Sequence, residues 1–316
     1  MGSATGVLVT GGAGFIGSHL VRALIGVGRK IRVLDDFSTG KRENLADVLE
    51  QIELVEGDIR DRTTVEAAIR DTDVVFHQAA LPSVPRSIED PIASNEVNVT
   101  GTLNVLVAAE RAGVRRVVYA SSSSAYGANP ELPKREEMTP NPLSPYAVSK
   151  LTAEQYGRVF YRIYGLETVA LRYFNVFGPR QDPESPYSAV IPKFIGWLER
   201  GESPRIEGDG EQTRDFTYVD NVVRANLLAA EAPNVGGEVF NIACNGRVSI
   251  NELATKLSEM ISPNAPIQAI HEEARPGDVK HSLASIDKAE RILGYAPVVG
   301  FDEGLKRTVE WFRRSG

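Results

Sequence analysis

Cysteine is nearly missing from this chain. The one residue, Cys244, has no partner for an internal disulfide, so a reducing, cytoplasmic setting is expected. Histidine is scarce too: His19, His77, His271 and His281 are scattered without ligand spacing, and no metal site is expected. Long apolar runs do not occur. No stretch approaches a membrane span, and the N-terminal residues lack a signal-peptide pattern. Basic residues are not in excess: the formal net charge is -7, without a basic stripe, which argues against nucleic acid as a partner. No repeat or low-complexity tract is evident. What remains is a globular composition, in 316 residues that suit one large domain plus a smaller one.

Within that composition the stretch S-P-Y-A-V-S-K, Ser144 to Lys150, carries the most chemistry. Tyr146 and Lys150 are one helical turn apart and can face the same bound molecule. A phenol of ordinary pKa, about 10, is a poor base at neutral pH. An ammonium beside it favours the phenolate and is expected to bring that value towards the working range.

A second pattern lies near the N-terminus. The apolar run Val7–Val9 reads as a buried parallel strand, and Ile16, Leu20, Leu24 and Val27 are spaced for one helix face. Between them T-G-G-A-G-F-I-G places Gly11, Gly14 and Gly17 where strand turns into helix. Gly11 suits a tight turn, Gly14 lets backbone approach a pyrophosphate, and Gly17 permits close helix–strand packing. The spacing is G-x-x-G-x-x-G rather than the G-x-G-x-x-G of many dehydrogenases. A second strand, Ile31–Leu34, ends at Asp35, where a carboxylate would accept bonds from a ribose diol and repel a 2′-phosphate. A dinucleotide site for NAD rather than NADP is expected.

Further along, strands at Ile52–Val55, Val74–Phe76, Val117–Ala120 and Thr168–Leu171 alternate with helices near Thr63–Ile69, Asn95–Ala112 and Tyr146–Tyr164. Such alternation predicts an α/β, Rossmann-type, doubly wound parallel sheet. Ligands then lie beyond the carboxyl ends of the strands, where Gly11, Asp35, Asp58, Ala79, Ser121 and Tyr173 would gather. After about Gly178, prolines punctuate shorter segments, and Glu238–Ala243 reads as a strand returning to the sheet. The expected division is an NAD-binding domain over 1–178 with a returning segment near 214–245, and a smaller C-terminal α/β substrate domain over 179–316.

Together T-G-G-A-G-F-I-G, H-Q-A-A (77–80), the serines 121–124, Y-A-V-S-K and R-Y-F-N (172–175) resemble the extended short-chain dehydrogenase/reductase superfamily. More narrowly, the chain is similar to nucleotide-sugar 4-epimerases, over Val7 to about Phe312. The blocks 35–45, 83–91 and 275–284 look most like the UDP-N-acetylhexosamine type.

The resemblance implies roles residue by residue. Tyr146 is the general base for the sugar 4-hydroxyl, and Lys150 bonds the nicotinamide ribose. A serine hydroxyl, Ser122 counting back from Tyr126 or Ser123 counting forward from the strand, bonds the sugar O4. Phe15, Ile16, Ser38, Gly40, Asp58, Ile59, Gln78, Ala79, Ala80 and Tyr173 join the glycines and Asp35 around NAD. Asn175, Ala189, Val190, Lys193, Arg214, Arg275 and Asp278 hold the diphosphate and uridine, and arginine's planar fork suits phosphate. Ser83 and Ser124 line the sugar pocket, although Ser83 could instead stiffen a loop containing Pro82 and Pro85. Related dehydratases and decarboxylases place a carboxylate just before the Tyr-Gly, whereas Ser123-Ser124-Ala125 stands here. Epimerisation without elimination is therefore expected.

Ser282 matches a position held by a large tyrosine in epimerases confined to UDP-glucose and UDP-galactose. A small residue leaves room for an N-acetyl group. The expected reaction is reversible C4 epimerisation of UDP-GlcNAc and UDP-GalNAc, through a 4-keto sugar, with NAD held throughout. The alternative is a UDP-glucose/UDP-galactose or UDP-glucuronate 4-epimerase. The resemblance also implies a homodimer through a four-helix bundle, with Leu103, Val107, Val159 and Ile163 on apolar faces.

Overall fold

Strand β1 (Gly6–Thr10) is buried on both sides, Val7 and Val9 against one layer of helices and Leu8 against the other. That alternation in an unbroken apolar run requires a sheet covered on both faces. The computed structural model describes residues 6–183, 185, 189–273 and 280–315. Its main sheet has seven parallel strands: β1, β2 (Lys30–Asp35), β3 (Ile52–Glu56), β4 (Thr72–His77), β5 (Arg116–Ser122), β6 (Glu167–Tyr173) and β11 (Glu238–Ile242). Their spatial order is β3-β2-β1-β4-β5-β6-β11, so the direction of winding reverses between β1 and β4. This is the Rossmann-type doubly wound fold, and the reversal is where such sheets bind ligands.

Helices α1 (Phe15–Gly26) and α8 (Val219–Glu231) cover one face. On the other lie α2 (Arg62–Ala68), α5 (Thr102–Arg111) and α6 (Pro145–Tyr164). A third core joins α7 (Val190–Glu199), α9 (Ile250–Ile261) and α11 (Phe301–Ser315) through Phe194, Leu253 and Leu305, with Phe177 and Phe216 among them. Among the described residues no helix is long and apolar enough to cross a membrane.

Two segments differ from the sequence expectation. The helix expected over Asn95–Ala112 begins earlier, at α4 (Pro91–Asn95), where Asp90 accepts the Ala93 amide and Pro91 fits the first turn. It then widens into a π-turn at Glu96–Gly101 before α5. The wider turn buries Asn98, whose amide oxygen accepts from Leu81 N (2.8 Å) and whose nitrogen donates to Leu81 O (3.1 Å) and Ser149 Oγ (3.1 Å). The segment after Pro82, read as lining the sugar pocket or else as a stiffened loop, is a short helix, α3 (Val84–Glu89), with Ser83 accepting the Arg86 amide and Pro85 in its first turn.

Helix α6 is defined by its ends. Ser144 accepts the Ala147 amide, Pro145 takes the first position, and Gly165 closes the helix with φ +75°. Its register on the sheet is fixed from below. Glu154 receives both Nε (2.8 Å) and Nη2 (2.7 Å) of Arg172 on β6, and it also accepts the Ser121 hydroxyl from β5. Both partners are essentially without solvent contact, and the Arg172 guanidinium lies 4.6 Å from the Tyr126 ring centroid. Breaking such a pair leaves a buried charge without its counterion. Glu154→Ala is expected to cost about 3–5 kcal/mol in chemical denaturation; a loss below about 1 kcal/mol, the range of an exposed pair, would show that the pair does not hold the helix.

Candidate functional site

The glycine turn has the shape a dinucleotide needs. A Cβ on Gly11 would come within 2.6 Å of Ala79 N, and one on Gly17 within 2.1 Å of Gly11 O, so packing forbids a side chain at either. Gly11 also has φ +69°. Gly14 differs: a Cβ there would meet only Gly11 O, at 3.2 Å, leaving its outer side open. No side chain caps α1 and no acidic residue sits in its first turn, so the amides that begin at Phe15 and Ile16 present a positive end to that space.

Asp35, at the end of β2, is buried and holds Ala13 N (2.8 Å) and Phe37 N (2.9 Å) on its two oxygens. Burial raises its carboxyl above the ordinary value, and those two amides oppose the rise. Gly40 passes against it, where a Cβ would meet Asp35 Oδ1 at 2.8 Å. Ser38 bonds Asp36 through both amide and hydroxyl and shapes the loop. Asp58 is engaged by Arg60 at 2.6 Å, and Ile59 is part of the core. An open phosphate cradle, a buried acid for a diol and no side chain filling the Gly14 approach fit NAD.

Across the reversal, Gln78, Ala79 and Ala80 follow β4. The Tyr173 hydroxyl donates to Gln78 Oε1 (3.2 Å) and accepts from Asn226 (2.8 Å), while Gln78 donates to Asn226 (3.1 Å). Tyr173 therefore sets Gln78 in place from within the core. His77 is buried between Thr10 Oγ1 (2.7 Å) and Thr102 Oγ1 (2.9 Å). Thr102 gives its proton to Asn98 O, so His77 carries hydrogen on Nε2 and accepts at Nδ1. Burial, with the Lys150 charge nearby, lowers His77 to about 3 and keeps it neutral. A hydrogen-bonded chain thus runs from the strand below the glycine turn, through the π-turn, to Ser149 between Tyr146 and Lys150.

Tyr146 and Lys150 stand on the same side of α6, with the Lys150 ammonium 6.0 Å from the Tyr146 ring centroid. Lys150 Nζ donates to Ala120 O at 2.9 Å, and burial lowers it to about 8. The expected depression of the Tyr146 pKa is not found. Burial raises the phenol above its ordinary value, and the one influence against this is a hydrogen bond from Ser122. In the chain alone, the cost of desolvating a phenolate exceeds what that bond returns.

The serine run divides by direction. Ser121 faces Glu154 beneath the sheet edge. Ser122 reaches Tyr146, and it accepts Ser124 Oγ (2.9 Å) and Ser124 N (3.2 Å) as the cap of the turn Ser123–Tyr126. Of the two serines left open by counting, Ser122 is thus the one in contact with the phenol, while Ser123 lies one position further along that turn.

Residues expected to hold substrate are spread over several elements. Ser83 caps α3 with φ +99°, a backbone that costs energy outside glycine. Asn175 follows β6 at φ +33° and donates to Asp215 O at 3.1 Å. Ala189, Val190 and Lys193 form the N-terminal turn of α7. Arg214 Nη1 donates to Thr213 O (3.1 Å) and Lys280 O (3.3 Å). Its acidic neighbours are engaged elsewhere, Asp215 with backbone amides and Asp220 with Arg307. Ser282 is half-buried and donates its amide to Thr213 O at 3.0 Å, on the segment that flanks Arg214. Arg275 and Asp278 lie outside the described residues.

The reading of the sequence missed Glu154, Asn98 and Asp215. Only Glu154 left a usable signal, an acid one turn beyond Lys150 on the Tyr146 side of the helix.

The model of the NAD dependent epimerase/dehydratase family matches residues 7–243. A curated relative, the putative UDP-glucose 4-epimerase of Methanocaldococcus jannaschii, is 41% identical, over 98% of this chain and 99% of its own length. The solved UDP-N-acetylglucosamine 4-epimerase of Methanobrevibacter ruminantium, in complex with UDP-N-acetylmuramic acid, is 43% identical with a TM-score of 0.94, covering 99% of both chains. The Thermus thermophilus UDP-glucose 4-epimerase, solved with NAD, is 39% identical with a TM-score of 0.89, over 98% of this chain and 100% of that one. With its nucleotide cradle, its tyrosine–lysine helix turn and these relatives over nearly its whole length, the chain belongs to the NAD-dependent epimerase/dehydratase family.

Proposed function

We propose that this protein is an NAD-dependent UDP-sugar 4-epimerase whose preferred substrates are the UDP-N-acetylhexosamines, UDP-GlcNAc and UDP-GalNAc. The observation that carries the finer part is Ser282, a small side chain on the segment that runs beside Thr213 and Arg214. Its size leaves volume for an acetamido group at C2. The absence of any carboxylate between Ser121 and Tyr126 supports epimerisation over elimination or decarboxylation.

NAD, when bound, accepts hydride from the sugar's C4 and returns it. The residues of this chain handle the proton and the geometry. Tyr146 takes the proton of the 4-hydroxyl, and Ser122, bonded to the same phenol, stabilises the developing oxyanion. Lys150, anchored on Ala120 O, bonds the cofactor's ribose and fixes its height over α6. Asn175, Lys193 and Arg214 hold the diphosphate while the 4-keto sugar presents its other face, and Tyr146 then gives the proton back. Residues 1–178, with a returning segment near 214–245, serve NAD; residues 179–316 serve the UDP-sugar. NAD must stay bound throughout the cycle, because its escape would strand the keto sugar.

We also propose a homodimer. Ile163, Val159 and Val148 on α6 and Ile92 on α4 are exposed apolar side chains, with exposures between 44% and 71%. Leu103 and Val107, expected on the same face, are partly buried against the chain's own core. A four-helix contact between two copies would cover the exposed set. Light scattering should give the mass of two chains, and a mass of one chain would refute the pairing.

Purified protein incubated with UDP-GlcNAc should form UDP-GalNAc without added NAD and without net NADH, read by separation of the C4 epimers. Tyr146→Phe should lower kcat by roughly 10²–10⁴-fold. Stoichiometric NADH release would identify a dehydrogenase instead, and activity confined to UDP-glucose or UDP-glucuronate would favour the alternative substrates. Ser282→Tyr should abolish turnover of the acetylated pair and spare UDP-galactose. Equal losses on both would defeat the pocket argument.

A further inference from the structure

A second buried acid lies apart from the proton chemistry. Asp215 sits where the chain leaves β9 (Thr213–Arg214) and enters β10 (Thr217–Tyr218), and its side chain has no solvent contact. At this point the strand changes partner. β9 pairs antiparallel with β12 (Val248–Ser249), while β10 pairs parallel with β7 (Val176–Phe177). Between the two pairings the Asp215 carboxylate takes the place of a neighbouring strand.

Its partners come from distant parts of the sequence. Oδ1 accepts Cys244 N (3.0 Å), just beyond β11, and the following amides of Asn245 and Gly246 also favour its charge. Oδ2 accepts Ala284 N (3.2 Å), two residues after Ser282. The Asp215 carbonyl accepts the Asn175 side chain, and Asn175 O accepts Thr217 N (3.2 Å), which closes a ring around the exit of β6. The Ser282 segment is laced from both sides, through Ser282 N to Thr213 O and through Lys134 N to Leu283 O (2.7 Å). Burial pushes the Asp215 carboxyl up to about 6, against the four amides that favour its charge. An apolar residue here would leave those amides unpaired.

We propose that Asp215 is a positioning residue of the nucleotide-sugar site, gathering the exits of β6 and β11 and the Ser282 segment so that Asn175, Arg214 and Ser282 face one substrate. This rests on the UDP-sugar reading above. It assigns Asp215 no contact with substrate: it acts through the backbone it holds. The effect is confined to the substrate side, because Asp35, the glycine turn and the Tyr146 helix share none of these bonds. A residue that merely supports the fold would, when changed, weaken cofactor and substrate binding together. A positioning residue changes substrate affinity with cofactor retention and the proton step intact.

Asp215→Asn keeps the shape but replaces one acceptor with a donor that meets a backbone N–H. In holoenzyme carrying this substitution, KM for the UDP-sugar and Kd for UDP should rise at least about tenfold, with kcat within about threefold and bound NAD unchanged. Unchanged KM and Kd, or parallel loss of NAD and substrate binding, would overturn the proposal. Should the variant fail to fold, hydrogen exchange on the unaltered holoenzyme decides. UDP should slow the amides of Cys244, Asn245, Gly246 and Ala284 together, and protection of Ala284 without the other three would refute a shared anchor. Unaltered protein that binds no UDP sinks the substrate reading and this proposal with it, whereas UDP binding insensitive to Asp215→Asn sinks this proposal alone.

Discussion

An ion pair that water does not reach, Glu154 with Arg172, sets where everything on α6 stands. The pair connects that helix to β6 directly and to β5 through Ser121. Tyr146, Lys150 and Glu154 recur at four-residue intervals on one side of the helix, so a charge fixed at the third position fixes the other two in height and rotation. Two buried charges are costly to desolvate, and apolar side chains of similar volume could stabilise the fold as well. What apolar packing would not supply is a unique register. A slip of one turn is tolerable between greasy surfaces but would leave both charges unpaired.

The electrostatics of the cleft divide the labour differently from what the spacing of Tyr146 and Lys150 suggests. Lys150 is occupied with the Ala120 carbonyl and is itself made less basic by burial. Tyr146 is pushed towards its neutral form, and Ser122 supplies the one opposing bond. The chain thus builds the geometry for the proposed proton transfer, while burial by itself works against the phenolate that would take the sugar's proton.

Much of this was legible in the sequence because it depends on local rules. The buried strands announce themselves as apolar runs, α6 by Ser144-Pro145 at its start and Gly165 at its end, and the cradle by glycines that no side chain could replace. The pieces that were not legible are long-range. Asn98 reads as an ordinary polar residue in a helical stretch, and its meaning comes only from the π-turn that swings it onto Leu81 and Ser149. Ser83 sat in a segment where two prolines suggested a stiff loop, yet one of them begins a helix that this serine caps. Asp215 reads as an ordinary acid beside Arg214, because its actual donors are backbone amides that carry no sequence signature.

Glu154 and Asp215 show two ways of burying a carboxylate, and the difference fits what each holds. Glu154 is answered by an arginine, whose two parallel bonds and full charge lock one helix to the sheet in a single arrangement. Asp215 is answered by single amides from separate loops, each bond weaker and each loop able to shift without exposing a cation. In the proposed reaction, proton transfer tolerates little displacement between Tyr146 and the atoms it would serve. The sugar side, in the same proposal, would release one face of the ring and receive the other. A floor locked by an ion pair under the phenol and a wall tethered through single amides are what the proposed turning of the keto sugar would require.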